Sequence, residues 1–433
     1  MSASFDYDAL GRRTSTTLSG APVVNYIYDA AGHLTKVSRS IGGTTRNFNI
    51  AYDNAGRRTS MQVALYKSQG KWKYLKTAYG YDIANELTSM LLTNPVATID
   101  SIGYTYDPNG NRTSMSKTPT IPLGGSMTGT DYDQANEMTA LEGYGLAYDN
   151  NGNMTSRVDA SGTTYYTWDA RNRLTDISGP SLSASFDYDA LGRRISRTVN
   201  STTTSFIYDG WDIIRDTTGG VATDYTRTLN IDEPLAYYRA NGTTRYYVAD
   251  ALGSITALTD ANGIVTTSYK YDEFGKVTIT GSDYNAFQYT GRENDGTGLY
   301  YYRARYYSPE MRRFVSEDPI GLWGGINFYS YVGNNPVDNL DPYGLFGWDN
   351  LFRYIFKKIA GQIGKNIGKN IAEREFDNSP EQQEMDKDTD GDGKNDFNDP
   401  DDDNDGIPDD RDPDPKNPDK GGKGKPREPE KCH

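Results

Sequence analysis

Two stretches near the C-terminal end place aspartates at a spacing that suits a hard cation. Asp388, Asp390, Asp392, Asp396 and Asp399 are followed in the same register by Asp401, Asp403, Asp405, Asp409 and Asp412, with Gly393 and Gly406 at the turning position. Calcium takes roughly six to eight oxygen ligands on a sharply turned backbone, and this pattern supplies them. Calcium is therefore the expected cofactor of the segment, with a solvated acidic linker as the bland alternative. Other chemistry is bounded by scarcity. His33, His433 and Cys432 are the whole supply of His and Cys. A Ser-His or Cys-His nucleophile, or a zinc site built on His and Cys, is thus poorly provided for. One Cys also excludes an intramolecular disulfide, and with it any reading of the redox compartment.

The elements that must carry these groups read as strands. The 433 residues include 35 Tyr and 45 Gly, yet only 35% are hydrophobic. Tyrosine favours strands, burying its ring while its hydroxyl finds a partner at the edge, and glycine supplies turns. The net charge of -14 is uneven: Asp377 to His433 holds 20 acidic against 9 basic residues. The rest is nearly balanced and shows no basic footprint for nucleic acid. No apolar run approaches the roughly 18 residues of a membrane span. Met1 runs straight into a repeat with no secretory leader, so the start reads as a cut in a longer array.

That repeat is the dominant feature. Phe5-Asp-Tyr-Asp-Ala-Leu-Gly-Arg-Arg-Thr14 is echoed by Tyr26-Ile-Tyr-Asp-Ala-Ala-Gly-His-Leu-Thr35 and by Tyr52-Asp-Asn-Ala-Gly-Arg-Arg-Thr59. Further copies follow at Tyr81, Tyr106, Tyr132, Tyr148, Trp168, Tyr188 and Tyr208, each followed by Asp. Alternating aromatic-x-Tyr makes a strand with one buried face. Asp-x-x-Gly closes a turn, with Asp bonding the backbone ahead and Gly or Asn taking the strained position. Arg-x-Thr then starts the returning strand. One unit is a β-hairpin that cannot bury its aromatic face alone, so neighbours must stack. On this reading the repeat aspartates are turn residues and the arginines pair or pack.

The unit resembles the YD repeat of the Rhs family of bacteria, shared with the C subunit of insecticidal toxin complexes and the teneurins. The resemblance covers Phe5 to about Leu345. It implies an all-β fold in which YD repeats wind into a spiral β-sheet shell, a partial barrel or cocoon around a cavity. From Tyr246 the spacing changes, through Gly298-Leu-Tyr-Tyr-Tyr-Arg-Ala-Arg-Tyr-Tyr307, Arg313-Phe-Val-Ser-Glu-Asp-Pro-Ile-Gly321 and Asp341-Pro-Tyr-Gly-Leu345. This run resembles the Rhs-associated core, which in the family plugs the shell and in several members is an aspartic protease that cuts the chain after its last Asp-Pro-x-Gly-Leu. Carried over, the resemblance implies Asp318 and Asp341 as the catalytic pair and Leu345–Phe346 as the cleaved bond. Two close carboxylates cannot both ionise, so one stays protonated while the other activates water. Arg313 is a candidate to stabilise developing negative charge. Against this stands a structural reading, because Asp-Pro-x-Gly is also a good type I turn, as Asp107-Pro-Asn-Gly110 in an ordinary repeat illustrates. Ser308 and Arg312 depart from the family pattern.

The expected organisation is a repeat shell over residues 1–245, a core module over 246–345, an amphipathic helix over 346–376, acidic calcium-type loops over 377–415 and a disordered tail over 416–433. Phe352, Phe356, Ile359, Ile363, Ile367 and Ile371 share one face of the helix. A face of this kind packs against protein more often than against membrane. The aspartate loops resemble thrombospondin type 3 repeats. Two functions follow. The first is an encapsulating shell fragment with a self-cleaving core and its own C-terminal segment as cargo, in toxin delivery or intercellular competition. Its implied partners are a cognate immunity protein or secretion apparatus, and its implied place is secreted or at the cell surface. The second is a non-catalytic surface adhesion or interaction protein with a calcium-stabilised tail.

Overall fold

The computed structural model describes residues 3–41, 43–118 and 125–345. The expected helix, both calcium-type loops, Phe346 and the tail lie outside the described residues. Within them the chain is all-β, with antiparallel strands in three sheets. The first sheet has ten strands from Ala3–Tyr7 to Arg112–Thr118, and the second has sixteen from Asp131–Tyr132 to Val277–Gly281. In both, every strand pairs with its neighbours in sequence. This is what stacked hairpins without crossovers must produce. The order passes through residue 246 without a break and ends at Gly281, because Asp250 and Asp272 still close the repeat turn. The change of spacing at 246 therefore marks no edge of the wall.

Each turn is built by short-range bonds. In the first copy the Leu10 and Arg12 amides donate to Asp8 Oδ1 at 3.0 and 2.9 Å, and Arg12 Nε donates to Asp8 Oδ2 at 2.8 Å. The Arg12 side chain, then the Arg12 amide, hold the Asp8 carboxyl below its ordinary range. Where Gly is replaced, Asn85, Asn136 and Asn172 take the left-handed conformation at φ 69°, 61° and 56°. The repeat tyrosine joins one hairpin to the one before it. Tyr28 Oη donates to the Arg13 carbonyl at 2.7 Å, Tyr81 to Arg58 at 3.0 Å, Tyr188 to Leu174 at 2.6 Å and Tyr208 to Arg194 at 2.7 Å. The first turn arginine covers that tyrosine, with Arg12 4.7 Å from the Tyr28 ring and Arg173 4.8 Å from the Tyr188 ring.

The second arginine of a Gly-Arg-Arg copy works at long range. Arg13 pairs with Asp209, Arg58 with Glu233, and Arg194 with Glu293 and Asp295. With Arg39 on Asp224 at 2.9 Å, the first two tie the first sheet to the second. Val37, Phe48, Val63 and Leu92 of the first sheet share a core with Leu235, Tyr246 and Val248 of the second. The third sheet is small: Glu293–Asn294, Tyr300–Tyr302, Arg305–Ser308 and Arg313–Phe314. Its tyrosines are buried on both faces. Tyr300, Tyr302 and Tyr307 pack with wall residues Tyr225, Tyr237 and Tyr271, whereas Tyr301 and Tyr306 pack with Leu174, Ile177 and Phe186. The sheet thus sits against the wall as a plug.

Candidate functional site

The plug positions its chemistry through two turns and one strand. Asp318 opens the Asp-Pro-Ile-Gly turn, where Gly321 N donates to its carbonyl at 2.9 Å and Ile320 N to its Oδ1 at 3.1 Å. Asp341 opens Asp-Pro-Tyr-Gly-Leu, and the Leu345 amide donates to Asp341 Oδ1 at 3.1 Å. Both aspartates are buried, at 6% and 1% exposure. Between them lies Arg305, whose Nη2 is 2.7 Å from Asp318 Oδ2 and 3.6 Å from Asp341 Oδ2. The same guanidinium rests 3.6 Å from the centre of the Phe314 ring. The fold therefore gathers two carboxylates, 23 residues apart in sequence, around one buried cation. Burial pushes the Asp318 carboxyl up to about 6, with Asp341 adding to the rise and Arg305 opposing it. Gly324 comes close enough that a Cβ there would overlap Asp318.

The segment leading to Leu345 is held along its backbone. Arg303 Nη1 donates to the Pro342 carbonyl, the Ala304 amide to the Tyr343 carbonyl at 3.0 Å, and Arg305 Nε to the Gly344 carbonyl at 2.6 Å. Gly344 is at φ +68°, and a Cβ there would overlap the Tyr302 carbonyl oxygen. The wall also contributes, since Trp211 meets the Tyr343 ring edge-on at 6.1 Å. Three consecutive carbonyls are thus fixed beside the carboxylate pair.

Of the residues expected from sequence, Asp318, Asp341 and Leu345 come together and Arg313 does not join them. Arg313 Nη2 donates to the Asn136 carbonyl at 2.8 Å and to Asn327 Oδ1 at 3.3 Å, and its guanidinium stacks on Tyr329 and Tyr132. Arg305 stands where that cation was expected. The signal for it was its place in a hairpin that carries five tyrosines over two strands, Tyr300–Tyr302 and Arg305–Ser308, where a charge is buried and must be paired. The ten aspartates of the calcium-type loops lie outside the described residues.

Sequentially paired hairpins closed by a tyrosine-rich plug, with a buried Asp-Arg-Asp cluster beside the Asp341–Leu345 turn, define a YD-repeat shell. The chain belongs to this family: residues 27–337 match the Teneurin YD-shell model. Among curated relatives, the tRNA3(Ser)-specific nuclease WapA of Bacillus spizizenii is 33% identical over 57% of this chain and 11% of its own length. The Double-stranded DNA deaminase toxin A of Burkholderia cenocepacia is 29% identical over 80% of this chain and 24% of its own length. The crystal structure of TcdB2-TccC3-Cdc42 shares the fold, with a TM-score of 0.59 at 18% identity, over 82% of this chain and 22% of that one. The chain thus spans a quarter or less of these proteins. Its relatives are shells of the toxin-associated Rhs class, and some of them carry nuclease or deaminase activity in their names.

Proposed function

We propose that the plug is an aspartic peptidase acting on its own chain, cutting Leu345–Phe346 and freeing the segment from 346 onward as the cargo of a toxin-delivery shell. One observation carries the reading: the backbone from Pro342 to Leu345 is tied down within one hydrogen bond of Asp341, beside a second buried carboxylate. The chemistry follows from that placement. One carboxylate takes a proton from water as the water oxygen attacks the Leu345 carbonyl carbon. The other, protonated, gives its proton to the carbonyl oxygen. As the tetrahedral intermediate collapses the C–N bond breaks: the carboxyl that took the water proton passes it to the Phe346 nitrogen, which leaves as an amine, and the other carboxylate takes back a proton from the intermediate's hydroxyl, restoring the pair. The pair titrates as a unit, so neither residue is assigned a fixed role. Arg305 keeps one of the two ionised in a buried site.

Mass spectrometry of the purified chain tests this. The expected result is a fragment beginning at Phe346, absent in Asp318→Asn and Asp341→Asn. An intact chain, or the same fragment from both variants, leaves only a structural plug. Delivery outside the producing cell, with its own C-terminal segment as cargo, is supported by the toxin relatives above. We propose also that the loops Asp388–Asp399 and Asp401–Asp412 bind calcium, on the strength of their shared register. Calorimetric titration of the full chain checks it, and no heat at millimolar calcium would make them an acidic linker.

A further inference from the structure

The wall turn that ends at Glu233 carries two neighbouring carboxylates with different partners. Glu233 receives Arg58 of the first sheet and also accepts from Asn230 Nδ2 at 2.8 Å and Thr228 Oγ1 at 2.5 Å. Asp232 faces the plug. It is buried and accepts from Arg292 Nη1 at 2.5 Å and from Arg303 Nη1 and Nη2 at 3.0 and 2.8 Å. Arg303 Nη1 in turn donates to the Pro342 carbonyl, the first of the three by which the segment before Leu345 is held. Asp232 and Arg303 both sit in the left-handed backbone region, at φ 58° and 60°. Residues with a side chain keep that conformation only where their surroundings over-determine it, and such positions gather at functional sites. Gly291 packs so closely that a Cβ would lie 2.6 Å from the Asp232 carbonyl oxygen.

We propose that Asp232 is a positioning residue for the segment that leads to Leu345: by fixing Arg303 it holds Pro342–Leu345 against the two plug aspartates. Its kinetic consequence rests on the self-cleavage proposed above. Without the Asp232 charge, the Arg303 guanidinium turns toward Asp212, its other acidic neighbour at 3.5 Å, and its bond to Pro342 weakens. The wall thereby helps to assemble the site, through a turn that is anchored to the first sheet by Arg58.

The experiment uses the full chain in two arms. In the first, fragment release is timed for Asp232→Asn, Arg303→Gln and the double variant. Each single change is expected to slow release by about 10- to 100-fold, as a displaced scissile segment should. The double variant should be no slower than the slower single one, because both act through one contact. Losses that multiply would overturn the inference. The second arm uses an Asp318→Asn background and follows hydrogen exchange at the Ala304 and Leu345 amides, which bond to the Tyr343 carbonyl and to Asp341 Oδ1. Asp232→Asn should speed exchange there while leaving Val37 and Phe48 protected, and unchanged exchange at Ala304 and Leu345 would sink the idea. If Asp232→Asn loosens the whole chain, Arg303→Lys takes its place, keeping the charge but losing the fork, with the same local outcome required. A chain that never releases a fragment refutes the proposed reaction, while the exchange arm still decides the role of Asp232.

Discussion

Replacing Arg305 by Gln removes a cation that pairs with both plug aspartates. Arg305 is 2% exposed, and its partners are Asp318, Asp341, the Gly344 carbonyl at 2.6 Å and the Phe328 carbonyl at 2.8 Å. Breaking a buried ion pair from one side costs about 3–5 kcal/mol, because the remaining charge stays buried without compensation. A carbonyl left without its donor adds about 1 kcal/mol or more. The expected loss is thus at least about 4 kcal/mol near pH 7.5, read by urea unfolding with intrinsic fluorescence. The loss must also depend on pH. A carboxylate whose folded pKa is raised binds its proton more tightly in the native state, so it weakens the fold above that pKa and the penalty fades as pH falls toward the unfolded value. Asp318 already stands at about 6. Without Arg305, which opposes the rise, it moves higher still, so the variant should lose much less stability at pH 5 than at pH 7.5. A loss under about 1 kcal/mol, or an equal loss at both pH values, would refute the view that Arg305 compensates a buried carboxylate pair.

Two further outcomes are expected. Fragment release should fall as pH rises through about 6, where the pair loses the single proton its chemistry requires, and a flat rate from pH 5 to pH 8 would contradict that assignment. Arg194→Met should cost about 3 kcal/mol, since it takes one buried partner from each of Glu293 and Asp295, which keep Arg292 and Arg197, whereas Arg193→Ala, whose partner Asp189 is about one-fifth exposed, should cost about 1 kcal/mol or less; equal losses in denaturant would argue against the division between local and long-range arginines.

The repeat was legible because its interactions are short in sequence. Asp8 and Arg12 are four residues apart, and the aromatic-x-Tyr alternation alone states which face is buried. All-β hairpins, turn aspartates and Asn in place of Gly could therefore be read from spacing, whereas the plug was implied by the family resemblance and the wall runs past residue 246 to Gly281. The coupling of hairpins through Tyr28 on Arg13, or Tyr208 on Arg194, could not be read, because a hydroxyl's partner depends on how neighbouring turns stack.

By itself the sequence determined the unit and its turn, since those rest on backbone geometry and on side chains within one hairpin. It also determined that Asp318 and Asp341 open matching Asp-Pro-x-Gly turns. Only the tertiary structure decided that these carboxylates share Arg305, that Arg313 turns to Asn136 and Asn327, and that Asp232 reaches Arg303 across 71 residues. Such pairings follow from which charges burial brings together, and a charge removed from water takes the partner the packed fold offers, whatever its distance along the chain.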